Sequence, residues 1–149
     1  MLTAKDIMTR EVITFTPETS VAEAARALVE KHINGAPVVS GGRIVGVLTQ
    51  SDLVTQQKQL NLPSVFTILD AVIPLSSSAK FEREMEKIAA LTVGQAMTAE
   101  PVTVSPDTPL TAIAGLMVDR KLHTLPVVVA GQVVGIIGME DILRTLTKG

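Results

Sequence analysis

MTREVITFTPETSVAEAARALVEKHINGAPVVSGGRIVGVLTQSDLV, residues 8–54, and MTAEPVTVSPDTPLTAIAGLMVDRKLHTLPVVVAGQVVGIIGMEDIL, residues 97–143, align without a gap at an offset of 89 residues. Extended back to Leu2 and Leu91, about 17 of 53 paired positions are identical, where ordinary composition gives about three. Met8/Met97, Pro17/Pro106, Pro37/Pro126, Gly46/Gly135 and Asp52/Asp141 are among them. Apolar positions match almost throughout. The chain is a duplicated unit, and each copy must be read for the same structure.

Each copy opens with a short strand pattern, at 12–15 and at 102–104, followed by a proline turn at Pro17 or Pro106. A helix follows. Ser20 with Glu23 has the spacing of a capping box, and Val21, Ala24, Ala25, Leu28 and Val29 share one face. In the second copy Thr108 is the expected N-cap, with Pro109 at the first helical position. Two strands come next, 36–39 with 44–48 and 125–129 with 133–137. Gly41-Gly42 and Ala130-Gly131 make their tight turns. A second helix begins near Thr49 and near Gly138. The order β-α-β-β-α, twice, predicts an α/β fold of two pseudo-symmetric repeats. Each has a small mixed sheet, with the first strand free to pair in parallel across the helix. One such sheet leaves an apolar face open, and packing two units together covers it.

The repeats are expected at 2–55 and 91–147, with an insert at 56–90. Within the insert, 80–90 reads as a charged amphipathic helix with Phe81, Met85 and Ile88 on one stripe; 65–73 is apolar and stops at Pro74. The helix patterns at 21–31 and 110–121 are apolar on more than one side. That predicts a homodimer through these helices, since one side faces the sheet and the other would be exposed in a monomer.

Composition narrows the function classes. Of 149 residues 46% are hydrophobic and 19% charged, which excludes disorder as the main state. There is no cysteine, so no disulfide, thiolate-bound zinc or catalytic thiol. The net charge of -2 and the lack of basic runs argue against nucleic acid. Three Phe, without Trp or Tyr, supply no base-stacking platform. No apolar run approaches the ~20 residues of a membrane span. The opening MLTAKDIMTREV carries acidic residues and no apolar core, so no signal peptide is expected and the reading is cytoplasmic.

The chemistry-bearing motif is GVLTQSD, residues 46–52, with its echo GIIGMED at 135–141. A strand ends, a hydroxyl stands at the turn, and an acid follows three residues later at a helix start. Helix-start N–H groups favour an anion, and an acid there can accept from ribose hydroxyls. Thr49-x-x-Asp52 is equally the spacing of an N-terminal capping box, and by itself the cap is the commoner meaning.

DIMTREVITFTPETSV, HINGAPVV and GRIVGVLTQSDLV in the first copy, with QAMTAEPVTVSPDTPL, KLHTLPVV and GQVVGIIGMEDIL in the second, resemble a tandem pair of cystathionine-β-synthase (CBS) domains, a Bateman module. The resemblance covers nearly the whole chain except the insert. It implies a regulatory module that binds AMP, ADP, ATP or S-adenosylmethionine in clefts between the repeats, with no required cofactor. It implies crossed sites. Thr49, Gln50, Ser51 and Asp52 would face Val102, His123 and Thr124 in one cleft. Asp141 would face Ile13, Asn34 and Gly35 in the other. Thr124 stands where the energy-sensing kinase's regulatory subunit has a basic residue, which weakens a phosphate clamp there. The second cleft departs further, because Gly138 replaces the hydroxyl and Glu140 adds a carboxylate that repels phosphate. It is expected to be empty, weak, or suited to an uncharged adenosyl group.

His32 is expected at a helix end, and His123, apart from the resemblance, as a packed or capping histidine. Two histidines at unmatched positions make no metal site of recognised spacing. No catalytic constellation accompanies the binding motif, so an enzyme is the least favoured class. The leading expectation is a nucleotide-sensing module acting on an unidentified regulated protein or on its own dimer. The alternative is a structural or protein-interaction module with empty clefts.

Overall fold

Two hairpins form the centre of the molecule. The computed structural model describes residues 1–60 and 90–147. Strands β1 (Gly35–Ser40) and β2 (Arg43–Thr49) pair antiparallel, as do β4 (Thr124–Val129) and β5 (Gln132–Gly138). The turns need left-handed backbone at both central positions: φ is 58° and 79° at Gly41 and Gly42, 51° and 82° at Ala130 and Gly131. Both hairpins carry a register shift at the same place, Val38/Val39 and Val127/Val128.

Ahead of each hairpin runs a ten-residue helix, α2 (Val21–Glu30) and α5 (Leu110–Asp119). The Ser20 hydroxyl accepts from Glu23 N–H, and Val21, Ala24, Ala25 and Leu28 are buried. In the second copy the N-cap is Pro109, not Thr108. The Thr108 hydroxyl is engaged one turn earlier, accepting from Ser105 N–H at 3.0 Å, as Thr19 does from Thr16 N–H. Both helices end alike. Ile33 N–H reaches Leu28 O and His32 N–H reaches Val29 O; Leu122 N–H reaches Met117 O and Lys121 N–H reaches Val118 O. This double closure puts one residue in the left-handed region, a place that favours glycine. Here it is His32 at φ 54° and Lys121 at φ 55°. After the hairpins come α3 (Gln50–Leu60) and α6 (Met139–Thr147).

The strand patterns at 12–15 and 102–104 shrink to single parallel bridges, Phe15 to Val38 and Val104 to Val127. The Phe15 N–H donates to Pro37 O, and the Phe15 carbonyl accepts from Val39 N–H. The next rung would need an N–H at position 37, and proline has none. Pro126 stops the second copy in the same way. Residues 13 and 102 are thereby released from the sheet.

The start of each copy is exchanged. Helix α1 (Ala4–Ile7) packs its buried Ala4 with Val104, Ile113, Leu125, Val127 and Ile137 of the second copy. Helix α4 (Val93–Ala96) packs Val93 and Ala96 with Phe15, Leu28, Val38 and Leu48 of the first. Backbone bonds follow the same crossing: Ala4 N–H to Thr108 O and Leu110 N–H to Leu2 O, against Gly94 N–H to Pro17 O and Val21 N–H to Leu91 O. Strand β3 (Thr98–Ala99) then adds to β2, and Thr9 bridges Ile136 of β5. Room for the crossing comes from two glycines. A Cβ at Gly46 would lie 2.6 Å from Met97 Sδ, and one at Gly135 would collide with Met8. Helix α1 is closed by Thr3 and Asp6; the Thr3 N–H and hydroxyl both donate to the Asp6 carboxylate and hold its pKa below the usual value.

The hairpins meet at β1 against β4 and β2 against β5. At this seam Gly35 faces Thr124. A Cβ on Gly35 would stand 2.9 Å from Leu48 O and 3.0 Å from Thr124 Oγ1. A side chain fits on only one side of the pseudo-axis, and Thr124 occupies it, 7% exposed. Away from the seam Val54, Val118, Leu143 and Leu146 are exposed on α3, α5 and α6. The expected segments 65–73 and 80–90 lie outside the described residues, save for residue 90.

Candidate functional site

Two clefts flank the hairpin seam. The first has a volume of about 470 Å³ and its wall includes Thr49, Gln50, Ser51 and Asp52 at the β2–α3 turn. Val102, His123 and Thr124 of the second copy form the opposite wall. The structure therefore brings together all seven residues that sequence reasoning assigned to one site. The volume lies within the range typical of small-molecule pockets.

Asp52 is held from two sides. One carboxylate oxygen accepts from Thr49 N–H at 3.0 Å, while the Thr49 hydroxyl accepts from Asp52 N–H at 3.1 Å. The capping box is thus present. The other oxygen accepts from the Thr98 hydroxyl at 3.0 Å. A carboxylate has about four acceptor positions, so Asp52 retains capacity for further donors at the cleft. Gln50 is fixed by its backbone N–H on Asn34 O and its side-chain amide on Ile33 O.

Thr98, Glu100 and Lys121 also line this cleft, and sequence reasoning missed them. Thr98 arrives with β3, a consequence of the exchanged segments. Glu100, at φ 52°, and Lys121 are placed by left-handed backbone that no local motif announced. Lys121 is the cation that the motif residues themselves lack.

The second cleft is smaller, about 190 Å³, and holds Ile13, Asn34, Gly35 and Asp141 as expected from the offset. Gly138 leaves open the place that Thr49 fills in the first cleft: a Cβ there would have no neighbour nearer than His123 O at 3.7 Å. Glu11, Glu140 and Asp141 are its carboxylates. Asp141 is 7% exposed; one oxygen accepts from Gly138 N–H at 2.8 Å and the other from Arg144 Nη2 at 2.9 Å. Arg144 escaped sequence reasoning because its equivalent in the first copy is Thr55. Asn34, His123 and Thr124 border both clefts.

Among the described residues no group of three or more His, Asp or Glu could hold a metal ion, and no helix is long and apolar enough to cross a membrane.

Comparison with known proteins agrees with this architecture. CBSX2, a chloroplastic CBS domain-containing protein of Arabidopsis thaliana, is 33% identical over 138 residues, covering 86% of this chain and 56% of that one. An inosine-5′-monophosphate dehydrogenase of Korarchaeum cryptofilum is 28% identical over 140 residues, 93% of this chain but 23% of the enzyme. The chain thus spans from a quarter to just over half of these relatives. The crystal structure of CBSX2 in complex with AMP superposes with a TM-score of 0.74 at 28% identity, covering 99% and 98% of the two chains. The CBS domain pair of protein MJ0100, in complex with 5′-methylthioadenosine and S-adenosyl-L-methionine, gives 0.75 at 26% identity, covering 99% and 97%. The CBS domain model matches residues 4–58 and 93–148. With one match on each copy of the duplicated unit, the chain belongs to the CBS domain family and carries two such domains in tandem.

Proposed function

We propose that this tandem pair is a regulatory sensor that binds an adenosyl nucleotide in the first cleft. The observation that carries the reading is the convergence of Thr49 and Asp52 from one repeat with Val102, His123 and Thr124 from the other around a 470 Å³ cleft. Two similar structures, the CBSX2 and MJ0100 pairs, hold AMP in the one case and 5′-methylthioadenosine with S-adenosyl-L-methionine in the other. In this reading Asp52 accepts from the ribose hydroxyls, a charge-assisted bond. Val102 packs on the base, since aliphatic side chains must do what absent aromatics cannot. Thr49 and the N–H groups opening α3 face a phosphate, and Lys121 supplies its counter-charge. The ligand touches both repeats, so it favours one relative arrangement of them, and occupancy is passed on as a population shift to a dimer or a regulated protein. Dimerisation through the repeat helices fits the exposed Val118 on α5. The module needs no cofactor, nucleic acid or membrane for this role, and the cytoplasm suits it.

One observation favours the alternative, a structural module with empty clefts: both Asp52 oxygens already have partners inside the protein. Calorimetry with an adenine-nucleotide panel, well below the melting range, separates the two. Sensing predicts that Asp52→Ala weakens binding by roughly 5- to 150-fold, as lost ribose bonds imply. Asp141→Ala should leave the first cleft unchanged. A purely capping Asp52 predicts lower stability with unchanged affinity. If only Asp141→Ala weakens binding, the assignment of the clefts is reversed. Absence of binding to the wild type at millimolar nucleotide refutes sensing.

A further inference from the structure

We infer that Arg144 is a latch on the second cleft, competing with an incoming sugar hydroxyl for the buried Asp141 carboxylate. The inference rests on the adenosyl reading above and concerns its less favoured cleft. Asp141 is almost fully buried, and its two oxygens are divided between Gly138 N–H and the Arg144 guanidinium. The first bond caps α6 and is shared with the Thr49–Asp52 turn. The second is a charge-assisted bond that the first cleft lacks. There the same oxygen of the equivalent acid meets only the Thr98 hydroxyl, and the residue equivalent to Arg144 is Thr55.

The two ends of the Asp141–Arg144 pair are unequal. The carboxylate side chain is 6% exposed and the guanidinium side chain 62%. Asp141 is fixed, whereas Arg144 can leave into water without losing much packing. The guanidinium already stands largely in water, and ribose hydroxyls can take over its hydrogen bond to the buried carboxylate, so a ligand can displace it. The latch therefore sets a threshold rather than a block. Selectivity comes from the lining residues. Glu140 stands where the first cleft has Ser51, and His32 where it has Lys121, so this cleft disfavours a phosphate. The ligand class that this cleft admits is a neutral or cationic adenosyl group, such as an adenosyl thioether, whose ribose takes over Asp141 as Arg144 swings out.

Titration with 5′-methylthioadenosine tests this, followed by NMR of the Met139 methyl group, which lines this cleft and not the first. An Asp52→Ala background keeps the first cleft out of the measurement. Arg144→Thr, which installs the residue of the first repeat, is expected to tighten binding at Met139 by roughly 2- to 10-fold, the worth of the one hydrogen bond no longer contested. Arg144→Gln keeps the side-chain length without the charge and should act in the same direction, guarding against misfolding of one variant. Unchanged or weaker binding in both variants overturns the latch while leaving the adenosyl reading of the cleft intact. No Met139 response to millimolar ligand in any form overturns that reading, and the latch with it.

Discussion

Lys121→Gly should make the protein more stable and a poorer binder at once. Lys121 follows α5 at φ 55°, with its N–H on Val118 O and the next N–H on Met117 O, and it is exposed at the rim of the first cleft. A left-handed backbone costs an ordinary residue roughly 1–2 kcal/mol. Glycine removes that strain but has more freedom to lose on folding, roughly 0.5–1 kcal/mol. The balance is a gain of about 0.5–1 kcal/mol, or a Tm raised by about 1–4 °C for a chain of this size. Against this, an ammonium about 4 Å from a phosphate contributes about 1 kcal/mol in a solvated cleft, so AMP affinity should fall about fivefold. Urea unfolding and calorimetry measure the two effects separately. His32→Gly is the matched control, with the same backbone at φ 54° but a side chain at the second cleft. It should give the stability gain with first-cleft affinity unchanged. If neither glycine variant is stabilised, the strain argument is wrong. If Lys121→Gly binds AMP as tightly as the wild type, the ammonium does not serve the phosphate.

The hairpin seam offers a second check. Gly35→Ala places a methyl 2.9 Å from Leu48 O and 3.0 Å from Thr124 Oγ1, and should destabilise by about 1–3 kcal/mol in urea unfolding; a loss below about 0.5 kcal/mol would mean the repeats separate easily at the seam. Light scattering at micromolar concentration is expected to give a dimer mass, because exposed Val54, Val118, Leu143 and Leu146 need cover; a monomer mass removes that proposal.

What the sequence made legible was whatever local rules govern. The offset of 89 revealed the duplication. The glycine turns gave both hairpins within one or two residues, and Ser20 with Glu23 gave the start of α2. The seven residues of the first cleft followed from the resemblance, not from spacing, because Thr49 and Asp52 alone satisfy a cap as well as a ligand. The exchanged segments were not legible. Ala4 and Val93 have the same apolar pattern whichever core receives them, and in a near-symmetric repeat both choices bury the same area. Thr98 was lost with them. The shortened strand at 12–15 was a matter of one missing N–H at Pro37, visible only once its partner strand was known. Lys121 and Glu100 reach the cleft through backbone conformations that their side chains do not favour.

Because α1 completes the second core and α4 the first, the connectivity has a kinetic meaning. Leu2 bonds to Leu110 and Thr9 to Ile136, pairs more than 100 residues apart in the chain. The second core does not close until these segments have met, and the first waits on Val21 with Leu91 and Pro17 with Gly94, themselves 70 or more residues apart; closure of such long loops precedes the contacts that reward it. The first domain cannot finish until α4 has been made, since Val93 and Ala96 are among its own buried residues, and the second cannot finish without α1 from the start of the chain. Folding is thereby tied to the whole chain, with a high contact order for so small a protein. Unfolding carries the same linkage in reverse: each core holds a helix whose chain continues into the other copy, so calorimetry is expected to show the two domains melting together.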